Sequence, residues 1–177
     1  QLTAAVERQP PEVGLLARLA EMKFATGKRD EALQLINRAM ALAKDDPGAR
    51  SRLFWSVVGM NMLDKAKEMA RVEIERSPRD PDPVLWHAAL FGMEGDEKAA
   101  LEQTVKALDI QSDYYPALTA LARTANTTER AKEYGARLEK AVDKGTSNPR
   151  IYIDFARRLV DEGADPERVG GILVKGM

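Results

Sequence analysis

The phrase Gly27-Lys28-Arg29-Asp30-Glu31-Ala32-Leu33 returns as Asn61-Met62-Leu63-Asp64-Lys65-Ala66-Lys67, and again, more loosely, as Gly95-Asp96-Glu97-Lys98-Ala99-Ala100-Leu101. Ala32, Ala66 and Ala100 are evenly spaced, and Ala39-Met40 and Ala107-Leu108 follow seven positions after the first and the third. Pro10 and Pro78, two periods apart, mark helix ends in the same phase. Self-similarity at a fixed period means that each unit is one supersecondary element. Such a unit buries its apolar face only by stacking on its neighbours.

Outward from this phrase, apolar residues recur at three and four: Leu16, Leu19, Ala20; Leu33, Ile36, Ala39, Met40; Ile151, Phe155, Leu159; Val169, Ile172, Leu173. That is the helical period. The best strand candidate, Ile151-Tyr152-Ile153, lies between an Asn-Pro start and a helical continuation, so it too reads as helix. Pro47, Pro83, Pro149 and Pro166 follow Asp46, Asp82, Asn148 and Asp165. An acid or amide oxygen caps free N–H groups there, and proline at the first helical position gives up an N–H that had no partner. Asp30, Asp64, Asp96 and Thr128 are expected to cap further helices. Helices are predicted over 1–8, 12–26, 30–44, 47–60, 64–76, 82–93, 96–110, 114–125, 128–144, 149–162 and 166–176. The connections are short, which makes sequential neighbours antiparallel hairpins in one all-α body.

A 34-residue helix–turn–helix unit with these small residues resembles the tetratricopeptide repeat, over essentially the whole chain. The resemblance implies an all-α, right-handed superhelical solenoid of stacked antiparallel hairpins. About five repeats are expected (11–46, 47–80, 81–113, 114–148 and 149–177), with 1–10 as the end of a preceding one. The family wants small residues at its eighth position, where Ala20, Ala88, Ala122 and Ala156 stand, and large ones at the seventh, matched by Leu19, Leu53, Leu121 and Phe155. Departures are Phe54 at a small position, Lys23 and His87 at apolar ones, and Gly170-Gly171 where alanine is usual in the last hairpin. Ala131 follows Ala100 too soon for the period, so the fourth repeat reads about three positions short. The chain opens in a helical phrase, Leu2 to Val6, and stops just after Ile172-Leu173-Val174, which reads as a segment of a longer array. Flanking repeats or a capping helix are expected to cover its ends, or self-association through them.

Composition narrows the chemistry. The 177 residues are 44% apolar, 31% charged and 6% aromatic, with 27 Lys+Arg against 28 Asp+Glu. This balance disfavours a general nucleic-acid or anionic-membrane binder. RNA reading by a helical array would need a basic inner face and a repeating pair of base-reading residues, and neither is evident. The absence of Cys removes thiol catalysis, disulfides and thiolate metal sites, and one His cannot build a His-rich metal site. No metal or cofactor is expected. His87, beside Asp82 and Trp86, has no nucleophile motif with it and reads as structural. Asp45-Asp46 and Asp161-Glu162 read as helix-end acids, and Gly92-Met93-Glu94-Gly95 as a turn rather than a phosphate loop. No signal stretch or apolar run of spanning length is present in the sequence, so a soluble segment is expected.

In the family, the first helix of each hairpin lines an inner groove. Carried onto this sequence, the lining positions are Ala17, Glu21 and Phe24; Ser51, Trp55 and Val58; Leu85, Ala89 and Met93; Thr119, Arg123 and Asn126; and Arg150, Ile153 and Arg157. The binding residues expected among them are Phe24, Trp55, Val58, Leu85, Met93, Arg123, Asn126, Arg150 and Arg157, apolar early and basic late. Two placements of Trp55 are open: in the groove, or packed with Phe54 between hairpins after a one-residue shift. A clamp for chaperone tails is disfavoured, because Ala17 and Glu21 stand where Lys and Asn would be needed. The resemblance implies a non-catalytic scaffold for a protein or peptide partner. The alternative is a regulatory or substrate-positioning arm of a larger enzyme. Degenerate, Cys-free repeats are also similar to bacterial cell-envelope and exopolysaccharide-export scaffolds, which would place the chain in the periplasm or envelope.

Overall fold

The computed structural model describes residues 12–177, which form ten α-helices and no strand. In chain order these are α1 (Val13–Ala25), α2 (Arg29–Leu42), α3 (Pro47–Gly59), α4 (Leu63–Arg76), α5 (Pro81–Met93), α6 (Glu97–Ile110), α7 (Tyr115–Arg123), α8 (Thr128–Asp143), α9 (Pro149–Asp161) and α10 (Pro166–Lys175). The helix expected over 1–8 lies outside the described residues. By contacts the chain forms two compact units, one ending at Ala70 and the other running from Arg71 to Met177.

The repeat is visible in the helix starts. The first helix of every hairpin begins on one 34-residue register, at Val13, Pro47, Pro81, Tyr115 and Pro149. The turns share it. Gly27, Asn61, Gly95 and Gly163 all adopt positive φ, and the residue after each donates its N–H back to the last turn of the first helix: Lys28 to Lys23, Met62 to Val57, Asp96 to Phe91 and Ala164 to Leu159, at 2.9–3.2 Å. This closure satisfies carbonyls that a helix end leaves open and needs a residue that tolerates the left-handed region, which Gly and Asn do best. The fourth hairpin lacks it. There α7 has 9 residues and α8 has 16. Helix α8 also begins earlier on the register than α4 and α6 do, as the spacing of Ala131 predicts. The longer α8 restores the register before α9.

Caps follow the expected chemistry with four corrections. Asp46, Asp96, Asn148 and Asp165 cap as expected, each accepting from a backbone N–H two or three residues on. Asp80, not Asp82, caps α5, because Pro81 rather than Pro83 takes the first helical position. Thr127, not Thr128, caps α8. Asp30 and Asp64 lie inside the first turns of α2 and α4, where a carboxylate interacts favourably with the helix dipole.

In the first unit, Leu16, Ala20, Ala32, Ile36, Ala39, Leu53, Phe54 and Val57 are buried. Each large aliphatic side chain among them contributes roughly 1.5–3 kcal/mol on burial. The misfits to the repeat have local explanations. Phe54 is wholly buried and meets the Trp55 ring edge-on, with centroids 5.0 Å apart. Lys23 keeps its ammonium out of the core by pairing with Glu31 at 2.6 Å. Arg50, buried on α3, donates to the carbonyls of Ala43 and Lys44 at 3.1 and 2.6 Å and so closes the end of α2.

In the second unit, Val84, Ala107, Leu108, Ala117, Leu118, Leu121, Leu138, Ala141, Ile151, Tyr152, Phe155 and Leu159 make one core. Tyr114 donates to the Asp82 carboxylate, joining the starts of α5 and α7. Burial, with Asp82 beside it, pushes that phenol's pKa up. The His87 ring tilts against Phe91 with centroids 4.6 Å apart, filling its apolar position by stacking. Gly135 on α8 gives passage to the Arg158 side chain, whose Nε would lie 2.2 Å from an added Cβ.

Candidate partner-binding faces

With the first helices in register, residues 21, 55, 89, 123 and 157 occupy one helix position, the ninth, in every hairpin. Side chains there contribute little to either core. In the first unit, Ser56 Oγ donates to Glu21 Oε1 at 2.9 Å, joining α3 to α1, and Arg18 pairs with the other Glu21 oxygen at 2.8 Å. Beside them Trp55 is 48% exposed although its neighbour Phe54 is wholly buried. Phe24 and Val58, which share the twelfth position, are half-buried. This face is therefore aromatic and aliphatic around one engaged carboxylate.

In the second unit, Leu85 is half-buried against the core, whereas Met93, the last residue of α5, is 54% exposed. Arg123, the last residue of α7, is exposed and makes no ion pair among the described residues. Asn126 is exposed in the turn after α7, because that helix ends early. Two contacts bring α9 beside α7. The Arg150 guanidinium lies 5.7 Å from the centre of the Tyr115 ring, and Tyr115 Oη donates to Asp154 Oδ2 at 3.2 Å. Arg157 reaches Asp154 only at 4.0 Å and its side chain is 77% exposed. Arg123, Arg150 and Arg157 thus hold guanidiniums in water with little internal demand on them.

The sequence carried one further signal on this face. Val160 falls one period after Asn126, at the position of Phe24 and Val58, and is 60% exposed on α9 with Ile153. The register alone would have found it. Ile153, Arg157 and Val160, with Arg150 before them, form a stripe at helical spacing, apolar and basic in alternation. Among the described residues no group of three or more His, Asp or Glu side chains is arranged to hold a metal ion, and no helix is long and apolar enough to cross a membrane.

No protein-family model matches the chain, and no curated protein sequence does. Solved structures do. It is similar to YrrB, described as a TPR protein with an unusual peptide-binding site, at 25% identity and a TM-score of 0.50, over 67% of this chain and 61% of that one. The chain thus matches less than two thirds of YrrB. A tetratricopeptide repeat protein of Parabacteroides merdae matches at 16% identity and a TM-score of 0.51, over 98% of this chain and 69% of its own. MamA matches at 12% identity and a TM-score of 0.50, over 93% of this chain and 89% of its own. The shared register of helix starts and turns leads to the same place as these structures: the chain has the all-α helical-repeat fold of tetratricopeptide-repeat proteins.

Proposed function

We propose that the chain is a protein-interaction scaffold that holds partner segments against the exposed faces of its first helices. The observation that carries this reading is Trp55. A tryptophan half in water beside a wholly buried Phe54 fills no core, and it stands at the helix position that α7 and α9 give to Arg123 and Arg157. Trp and Arg are the side chains that most often dominate binding energy at interfaces. The face of the first unit suits an apolar or aromatic anchor. In the second unit, Arg123, Arg150 and Arg157 suit acidic residues, with Met93, Ile153 and Val160 as apolar contacts. The peptide-binding site attributed to YrrB supports the same use of the fold.

The test is selection from a random peptide library displayed on phage, followed by titration of the enriched peptides. Acidic peptides are expected to lose about tenfold or more in affinity against R123E/R157E, and aromatic or aliphatic ones against W55A, a loss of about 1.4 kcal/mol. All variants should keep the circular dichroism of the parent. Enriched peptides that bind every variant as they bind the parent would refute the assignment.

A further inference from the structure

A second surface lies on the other set of helices. Within the second unit, α6 and α8 flank a cavity of about 650 Å³. Its apolar lining is Leu101 and Val105 from α6, Leu121 from α7 and Ala136 from α8. Ion pairs bridge the same two helices on either side of it. Arg130 meets Glu97 at 3.7 Å near their first turns, and Arg137 meets Asp109 nearer their ends. The slot coincides with the shortened hairpin, where α7 stops at Arg123 and α8 begins early on the repeat register.

The rim decides what could enter. Arg130 is engaged by Glu97, and Glu133 by Arg137 at 2.8 Å. Glu102 and Glu129 are exposed and make no ion pair among the described residues, against one such cation, Lys132. Free carboxylates above an apolar floor repel nucleic acid and anionic lipid and attract cations. The α8 lining runs from Glu129 to Ala136, about two helical turns, room for anchors one turn apart. We propose that this slot takes the apolar side chains of an amphipathic helical segment of a partner protein, flanked by Lys or Arg that meet Glu102 and Glu129.

Two labelled peptides with the same i, i+4 leucine pair, one flanked by lysines and one by glutamates, test this on the full chain by fluorescence anisotropy. The lysine-flanked peptide is expected to bind at least tenfold more tightly, and the preference should shrink as salt is raised. E102K/E129K should reverse the order, and Val105→Arg should abolish binding of both. R123E/R157E should leave both affinities unchanged, which separates this slot from the first-helix faces. Equal affinity for the two peptides, no binding of either, or a loss confined to R123E/R157E would overturn the proposal. Because Glu102 and Glu129 are solvent-exposed, their reversal keeps the fold and the test remains decisive even if Val105→Arg unfolds.

Discussion

The hairpins α5–α6 and α7–α8 lie side by side in one unit, yet they solve the same turn in different ways. In the first, 13- and 14-residue helices meet at Gly95, whose φ of +81° lets Asp96 donate back to Phe91. In the second, α7 is cut to nine residues, no residue takes positive φ, and the turn closes through Thr127, whose Oγ1 accepts from Arg130 N at 3.3 Å. The regular hairpin packs; the short one opens a slot and leaves Arg123 at a helix end. The repeat tolerates this loss because the longer α8 returns α9 to register, so stacking is preserved while the surface is changed.

The largest break in this comparison should come from Leu121, wholly buried on α7 and also lining the slot. Leu121→Ala is expected to cost about 2–5 kcal/mol in urea unfolding. A loss below about 1 kcal/mol would mean that the short hairpin is too loose to use its core residue. Next comes Gly95→Ala. No atom lies within 4 Å of the added Cβ, so only the backbone objects, and about 1–2 kcal/mol should be lost. A neutral result would show that the closing bond at Asp96 does not hold the regular turn.

Thr127→Ala sharpens the other side, because it removes the cap on which the short turn depends. About 1 kcal/mol is expected, measured by the same unfolding curves. A further effect, confined to alkaline pH, concerns a half-buried phenol. Burial, with Asp154 and Tyr115 near it, pushes the Tyr134 phenol on α8 up to about 12 from an ordinary 10.0. A raised folded-state value means that the unfolded chain loses the proton first. The stabilisation is therefore complete below pH 10 and drains away as pH rises toward 12. Thermal melts across that window should show a shallower decline in Tyr134→Phe than in the parent. An identical decline would remove Tyr134 from the account.

Much of this was legible in the sequence because the repeat acts through local chemistry. The Gly27, Asn61 and Gly95 phrases set the repeat, and Asp46, Asn148 and Asp165 marked helix starts, so the helix boundaries follow within a residue or two. The misplaced caps came from duplicated signals, two Asp-Pro pairs at Asp80-Pro81 and Asp82-Pro83 and two neighbouring threonines at 127 and 128. What stayed hidden depends on shape. Nothing near Arg50 in the sequence shows that its guanidinium closes α2, and Glu73, buried on α4 and paired with Arg76 at 3.2 Å, sits where the repeat wants alanine. The slot between α6 and α8 was equally invisible, since the spacing of Ala131 gives a shortened turn but not the space it leaves. On the first-helix faces, Trp55, Met93 and Arg157 were named from the sequence and are exposed, and exposed Val160 went unnamed because the register was not carried to its last member.

The proposal stands or falls on Trp55, Arg123 and Arg157, which share the ninth helix position in three of the hairpins and are exposed there. The chain has no cysteine, so a single thiol can be introduced at a chosen site. Trp55→Cys, Arg123→Cys and Arg157→Cys, with Met22→Cys and Val174→Cys as exposed sites off these faces, can be followed by the rate of thiol labelling with and without a peptide selected on the parent. Fast labelling is expected at all five sites in the free protein, since each is exposed. A bound peptide should then slow it at 123 and 157, or at 55, according to the peptide's class, and leave 22 and 174 unchanged. Saturating peptide that alters none of the three ninth-position rates, or slows 22 and 174 equally, would contradict the proposal.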